Sequence, residues 1–301
     1  MTRRPEFPEP LDREPFSIGD AGLSASRLRA SDLTRPFHGV RAAQGYADGV
    51  IARCLAYSTR MPAGAFFSHG TAARIWGLPV PRRFDAAPLD VSVVSPMRAP
   101  RGRGIRGHKL DGSHWRRLEH HGLVVSHPVD AWSQLGMHLN ELELVMVADG
   151  ITRRVDPLGT QHDLLVGLAR MGRRRGVNRL RAAYERVRPG TDSPKETELR
   201  LAIVDDGLPE PKVNHPIFDV QGTFLALGDL VYPKYRTLVE YDGGTHFLDE
   251  GQIFHDIDRL DAVMAEGWRV IRVNRSHLHS SPAHILSTIR QSLRSHGWRP
   301  D

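Results

Sequence analysis

Residues 238–247 read LVEYDGGTHF: an apolar run that abruptly acquires two carboxylates, two glycines and a histidine. Side chains in a strand alternate faces, so Leu238, Glu240 and Asp242 project to the same side. Asp229 lies on the preceding strand-like run, and antiparallel pairing across the short YPKY turn (232–235) brings it towards that face. Three carboxylates so placed repel and raise one another's pKa unless a cation intervenes, and hard divalent ions take oxygen ligands of this kind. Mg²⁺ is the ion this pattern points to, with Mn²⁺ as its substitute.

Working outwards, HPIFDV (215–220), TFLALGDLVY (223–232) and RTLVEYD (236–242) read as strands, with Gln221-Gly222 and Pro233-Lys234 supplying the turns. A helix is predicted over roughly 249–266, a buried strand at WRVIRV (268–273) and a closing helix at AHILSTIRQSLRSH (283–296). Ahead of them Ser193 and Pro194 start a helix as N-cap and first residue. The order is helix, three strands, helix, strand, helix. Glu196 precedes Leu199 and Ile203 by three and seven residues, so it lies on the inward face of its helix and can join the acids. The alternative is a capping box in which it bonds back to Ser193. His246 follows the strand through two glycines that permit close backbone approach; it is either an ordinary polar surface residue or a group that moves protons at neutral pH.

The segment RPGTDSP (188–194) reads as a linker. Residues 191–301 carry a net charge of −5 and the rest of the chain +11. Heavy use of arginine over lysine accounts for part of the excess by base composition alone, yet an acidic module that acts on a polyanion needs a basic neighbour. The run RMGRRRGVNRLRAAYERVR (170–188) is therefore either a solvated helix face or a phosphate contact, with Arg173, Arg174 and Arg175 as the candidate contacts. Before the linker, helices are predicted at 48–60, within 68–81 where Gly77 and Pro79 stop a short helix, and from Pro128 to about Arg188, and strands at 89–95, 104–110 and 122–127. His69 and Trp76 flank a short helix and read as packing residues. The proline- and acid-rich residues 1–20 read as a mobile tail. Cys54 is the single cysteine, which excludes a disulfide framework and cysteine zinc sites, and no apolar run is long enough for a membrane span. A cytoplasmic protein without a membrane partner is expected. Oligomeric state and protein partners leave no trace in the sequence.

The stretch GDLVYPKYRTLVEYDGGTH (228–246), followed by Asp256-Ile257-Asp258-Arg259 and EGWRVIRV (266–273), resembles the very-short-patch-repair endonuclease-like family of the PD-(D/E)XK nuclease superfold. The resemblance covers about residues 191–280, and SPKETELR (193–200) is similar to the family's opening motif. It implies a restriction-endonuclease-like αβββαβ core over 191–301, with Asp229, Glu240 and Asp242 as Mg²⁺ ligands that orient water for phosphodiester cleavage. The third position is aspartate where the superfold has lysine, so a second metal or His246 would supply what the lysine does. Glu196 matches the helix glutamate. Arg259 is then placed to meet a phosphate; its plainer alternative is a surface ion pair with Asp256. Within the first 190 residues, GVRA (39–42), FFSHGTAARIWGLPVP (66–81) and VSHPVDAW (125–132) are similar to AbiEi-like antitoxin or regulator regions, which implies an α+β module over 21–188 with a degenerate winged helix. Together these imply a Mg²⁺-dependent DNA endonuclease, or alternatively a non-catalytic DNA-binding regulator on a nuclease scaffold.

Overall fold

A computed structural model describes residues 11, 13–112, 114–243 and 250–300, with the backbone alone described over 250–257. The architecture is mixed α and β with several sheets. Contacts divide the chain into two compact units, Met1–Glu143 with Val166–Leu180, and Leu144–Leu165 with Arg181–Asp301.

In the first unit, β1 (Phe16–Ser17) and β2 (Leu33–Thr34) flank β3 (Val40–Ala43) in a small antiparallel sheet. The expectation of a mobile tail through residue 20 is corrected here: Phe16 is buried, and its strand pairs with β3. Next come α1 (Val50–Ser58), β4 (Phe66–Phe67), α2 (His69–Ile75), β5 (Leu89–Val94), β6 (Ile105–Leu110), β7 (Arg117–His120), β8 (Leu123–Ser126) and α3 (Pro128–Gln134). The larger sheet has the order β6-β5-β4-β8-β7. Its strand β5 is buried from Leu89 to Val93, and Val91 and Val93 pack with Cys54, Tyr57, Phe67 and Leu123. Strands β4 and β7 escape a reading by periodicity because one is two residues long and the other, RLEH, is a polar edge.

The helices α4 (Glu141–Ile151), α5 (Gln161–Met171) and α6 (Val177–Glu185) follow, and the division between the units falls within all three. The boundary expected at 188–191 is thus moved, and a buried ion pair gives the reason. Asp149 of α4 takes hydrogen bonds from the Arg200 guanidinium (3.0 Å), the Thr197 hydroxyl (2.9 Å) and the Arg188 N–H (2.9 Å), and Arg200 also reaches Glu210 (2.9 Å). A fully buried charge must be held by its partners, so α4 is fixed to the helix that bears Thr197 and Arg200.

That helix, α7 (Pro194–Asp205), opens the remainder of the second unit: β9 (Lys212–Phe218), β10 (Phe224–Tyr232), β11 (Thr237–Asp242), α8 (Glu250–Ala265), β12 (Arg269–Asn274), α9 (Arg275–Ser280) and α10 (Pro282–Ser295). Strands β9, β10 and β11 form an antiparallel meander, while β12 lies parallel to β11 after the α8 crossover, giving the sheet order β12-β11-β10-β9. Alternation sorts the sheet into two apolar faces. Leu230, Val239, Ile271 and Val273 meet Leu199 and Ile203 of α7 and Ile285, Ile289 and Leu293 of α10. Val231 and Leu238 meet Val263 of α8. Among the described residues no helix is long and apolar enough to cross a membrane.

Candidate functional site

The register of β10 and β11 pairs Leu230 with Val239; one further step sets Asp229 opposite Glu240. Asp229 and Glu240 are therefore cross-strand neighbours, and Glu240 shares the face of Leu238, the side covered by α8. The residue before Asp229 has to be glycine, because a Cβ on Gly228 would lie 2.4 Å from the Leu238 side chain. The Tyr241 N–H donates to Asp229 Oδ2 at 2.8 Å and fixes that carboxylate across the strand pair.

Burial, then Glu240, then Glu196 push the Asp229 carboxyl up to about 7, against smaller downward contributions from the Tyr241 N–H and Arg259. Arg259 comes from α8. Its guanidinium lies 3.6 Å from Glu240 Oε1 and donates to the Leu227 carbonyl at 3.2 Å. Two acids on adjacent strands, a third within electrostatic reach and one arginine therefore share a half-buried corner of the sheet.

Glu196 is buried on α7, and the capping box the sequence offered as one alternative is only half formed. The Ser193 hydroxyl accepts from the Glu196 N–H (3.2 Å), as an N-cap should, but the Glu196 carboxylate bonds the Asp192 N–H (3.0 Å) instead of that of Ser193. Its second partner is the Asn214 side-chain amide at 3.2 Å. Asn214 sits on β9 between Val213 and His215, whose partners are Leu230 and Gly228, and so faces Asp229. Sequence reading missed it; the one local signal is that asparagine tolerates the left-handed backbone adopted here, φ 41°.

Asp242 stands apart from the expected trio. It is exposed at the end of β11, with Oδ2 2.7 Å from the Arg272 guanidinium of β12, and it is not among the groups that shift Asp229. Parallel pairing of β11 with β12 is what supplies that cation. Among the described residues no group of three His, Cys, Asp or Glu side chains is arranged to hold a metal ion. His246 and the Asp256 side chain lie outside the described residues. Arg173, Arg174 and Arg175 are exposed, but in the turn between α5 and α6 rather than on a helix face, and Arg174 folds back on the Arg170 carbonyl (2.8 Å).

The first unit holds a polar cluster of its own. His69 is buried, with φ 47° at the start of α2; its ring stacks on His108 at 3.8 Å and meets His138 edge-on at 5.6 Å. His108 bonds Asp90 at 2.9 Å, and the Ser68 hydroxyl contacts both His69 Nδ1 (3.0 Å) and the Ser92 hydroxyl (2.6 Å). Burial, with His108, His138 and Arg106 nearby, holds His69 well below the usual imidazole range. Trp76 is a packing residue, stacked on His120 and bonded to the Ser126 carbonyl at 2.8 Å.

No protein-family model and no solved structure matches the chain. Two proteins of Mycobacterium tuberculosis, both described as uncharacterized and coming from strains CDC 1551 / Oshkosh and ATCC 25618 / H37Rv, are each 22% identical to it over 267 residues. The similarity covers 89% of this chain and 94% of theirs, and so runs through both units.

Proposed function

We propose that the second unit is a nuclease-like domain of the PD-(D/E)XK superfold, with a restriction-endonuclease-like core akin to that of very-short-patch-repair endonucleases, and that it hydrolyses DNA phosphodiester bonds with Mg²⁺. The first unit is then an AbiEi-like regulator-type module with a degenerate winged helix. The reading rests on one observation: Asp229 and Glu240 stand opposite each other on adjacent strands, close enough that Glu240 raises the Asp229 pKa, with Arg259 beside them.

Mg²⁺ is commonly bound through one or two carboxylates, with waters and substrate phosphate filling its shell, so the donor chemistry of Asp229 and Glu240 fits it. When bound, the ion would activate water and offset the charge developing on the phosphate. Tyr241 keeps Asp229 in place through its N–H. Glu196, held by Asp192 and Asn214, would orient water from the α7 side. Arg259 would turn from Glu240 to a phosphate oxygen. His246 is the proposed acid or base, and Asp242 would complete the site on releasing Arg272. The experiment is a supercoiled-plasmid assay in Mg²⁺, Mn²⁺ or EDTA. Metal-dependent nicking that disappears in Asp229→Asn and Glu240→Gln supports the reading.

One observation favours the second reading, a DNA-binding regulator that keeps the fold as a scaffold: Glu240 and Asp242 already face Arg259 and Arg272 as ion-pair partners. An absence of nicking across metals and substrates, with salt-sensitive DNA binding intact, decides for it.

A further inference from the structure

A concentrated run of positive charge lies in the first unit, apart from the arginines of 170–188. From Val91 to Leu110 there is no acidic residue, while Arg98, Arg101, Arg103, Arg106 and Lys109 fall within one short stretch. All five are exposed. Among the described residues the side chains of Arg98, Arg101, Arg103 and Lys109 make no hydrogen bond or ion pair, whereas Arg106 lies 3.5 Å from Asp90.

The topology explains why this stretch is presented and also held. Strands β5 and β6 are parallel, and their connection has no helix to carry the return, so it runs back along β6 itself. The two meet closely at Gly107, where a Cβ would lie 1.9 Å from the Pro100 carbonyl oxygen; only glycine admits that approach. Further bonds pin the loop, from the Leu89 N–H to the Gly104 carbonyl (2.8 Å) and from the Ile105 N–H to the Gly102 carbonyl (3.1 Å). Strand β6 is an outer strand of its sheet, so nothing in the sheet covers this side.

We infer that the β5–β6 loop and β6, through Arg98, Arg101, Arg103 and Lys109, form a contact surface for the phosphates of duplex DNA on the first unit. This rests on DNA as the partner in the proposed function and locates where that partner is held. Arginine matches phosphate geometry in a fork, and a loop pinned at Gly107 loses little freedom on binding. Four exposed cations against a single exposed large apolar side chain in the stretch, Met97, favour a phosphate backbone over a lipid surface.

The test is equilibrium binding of a fluorescent 20-base-pair duplex to the full chain in EDTA, across a salt series. Replacing Arg98, Arg101 and Arg103 together by Ala is expected to weaken binding at least tenfold and to flatten the salt dependence by about 0.9 in slope for each phosphate no longer neutralised. The triple Arg→Lys variant keeps the charge and should stay within about threefold of wild type. That excludes misfolding as the cause. Unchanged affinity and slope in the Ala variant, with plasmid nicking intact, overturn this inference alone. Binding without nicking overturns the nuclease reading and leaves the surface standing. A wild-type chain that ignores duplex DNA but binds phosphatidylserine vesicles overturns both.

Discussion

Arg259 lies 3.6 Å from Glu240 on β11 and donates to the Leu227 carbonyl on β10, so one guanidinium of α8 ties together the two strands that carry the acids. Arg259→Ala removes that cation while leaving the apolar face of α8, Leu260 and Val263, in place. A hydrogen bond to a charged group is worth about 1.5–3 kcal/mol, so cleavage should fall roughly 10- to 100-fold. With less positive charge beside it Asp229 titrates higher still, and the rise of activity with pH should move upwards. Wild-type turnover and an unmoved pH profile in the variant would make the pair an ordinary surface contact.

Asp229→Asn and Glu240→Gln are each expected to abolish cleavage, because several kcal/mol of charge stabilisation correspond to roughly a thousandfold in rate. Their effect on stability has a definite sign. The Asp229 pKa is raised on folding from 3.8 to about 7, so its favourable contribution is present at low pH and lost as pH rises through about 7. Asparagine keeps an oxygen for the Tyr241 N–H and never ionises. Asp229→Asn should therefore melt higher than wild type at pH 8, on the order of 1 kcal/mol per pKa unit relieved, and close to wild type at pH 4. A variant that melts lower at pH 8 would show Asp229 to be a structural group.

The acidic pair was legible in the sequence because two simple rules meet there: a period of two along the strand, and a short turn that sets antiparallel register. What the sequence could not supply came from other pairings. Arg272 reaches Asp242 only because β12 returns parallel after a whole helix. Asn214 faces Asp229 through the register of a strand whose hairpin loop gives no fixed count. His69 of α2, His108 of β6 and His138 between α3 and α4 share no period, so their cluster exists only once the five-stranded sheet is formed. The domain boundary was misplaced for a similar reason. Pro189 and Gly190 read as a linker, but Arg188 and Thr191 are held by Asp149 and Arg154 of the same unit.

Protonation of the histidine cluster sets a second pH response. His69 is held below its ordinary 6.5, so under acid the unfolded chain binds a proton that the folded chain refuses, and stability falls as pH drops from about 6.5. His108, His138 and Arg106 face it, and their charges add to the penalty. His69→Asn tolerates the positive φ and removes the titration. Calorimetric melting between pH 7.5 and 5 should drop more steeply for wild type than for the variant. Parallel curves would place the acid sensitivity elsewhere.

Asp149→Ala leaves Arg200 buried with Glu210 as its remaining carboxylate and removes the acceptor for the Thr197 hydroxyl and the Arg188 N–H. Breaking one side of a buried pair costs about 3–5 kcal/mol, so urea unfolding of the second unit should shift by that amount. A shift under about 1 kcal/mol, the range of exposed pairs, would mean that α4 is held to α7 by apolar packing instead.

The turn between α5 and α6 offers a comparison with the β5–β6 loop. Arg173, Arg174 and Arg175 are exposed, but Arg174 spends its guanidinium on the Arg170 carbonyl. If the turn guides DNA, replacing all three by Ala should weaken binding to every duplex alike, since phosphate contacts position a protein without reading bases. The salt dependence should flatten by about 0.9 for each phosphate the variant fails to neutralise, so the two remaining guanidinium groups account for about 1.8 and all three for about 2.7. The same titration that tests Arg98, Arg101 and Arg103 measures this. A slope identical to wild type, with the β5–β6 variant flattened, makes the turn a solvated surface and leaves the β5–β6 loop as the basic contact of the first unit.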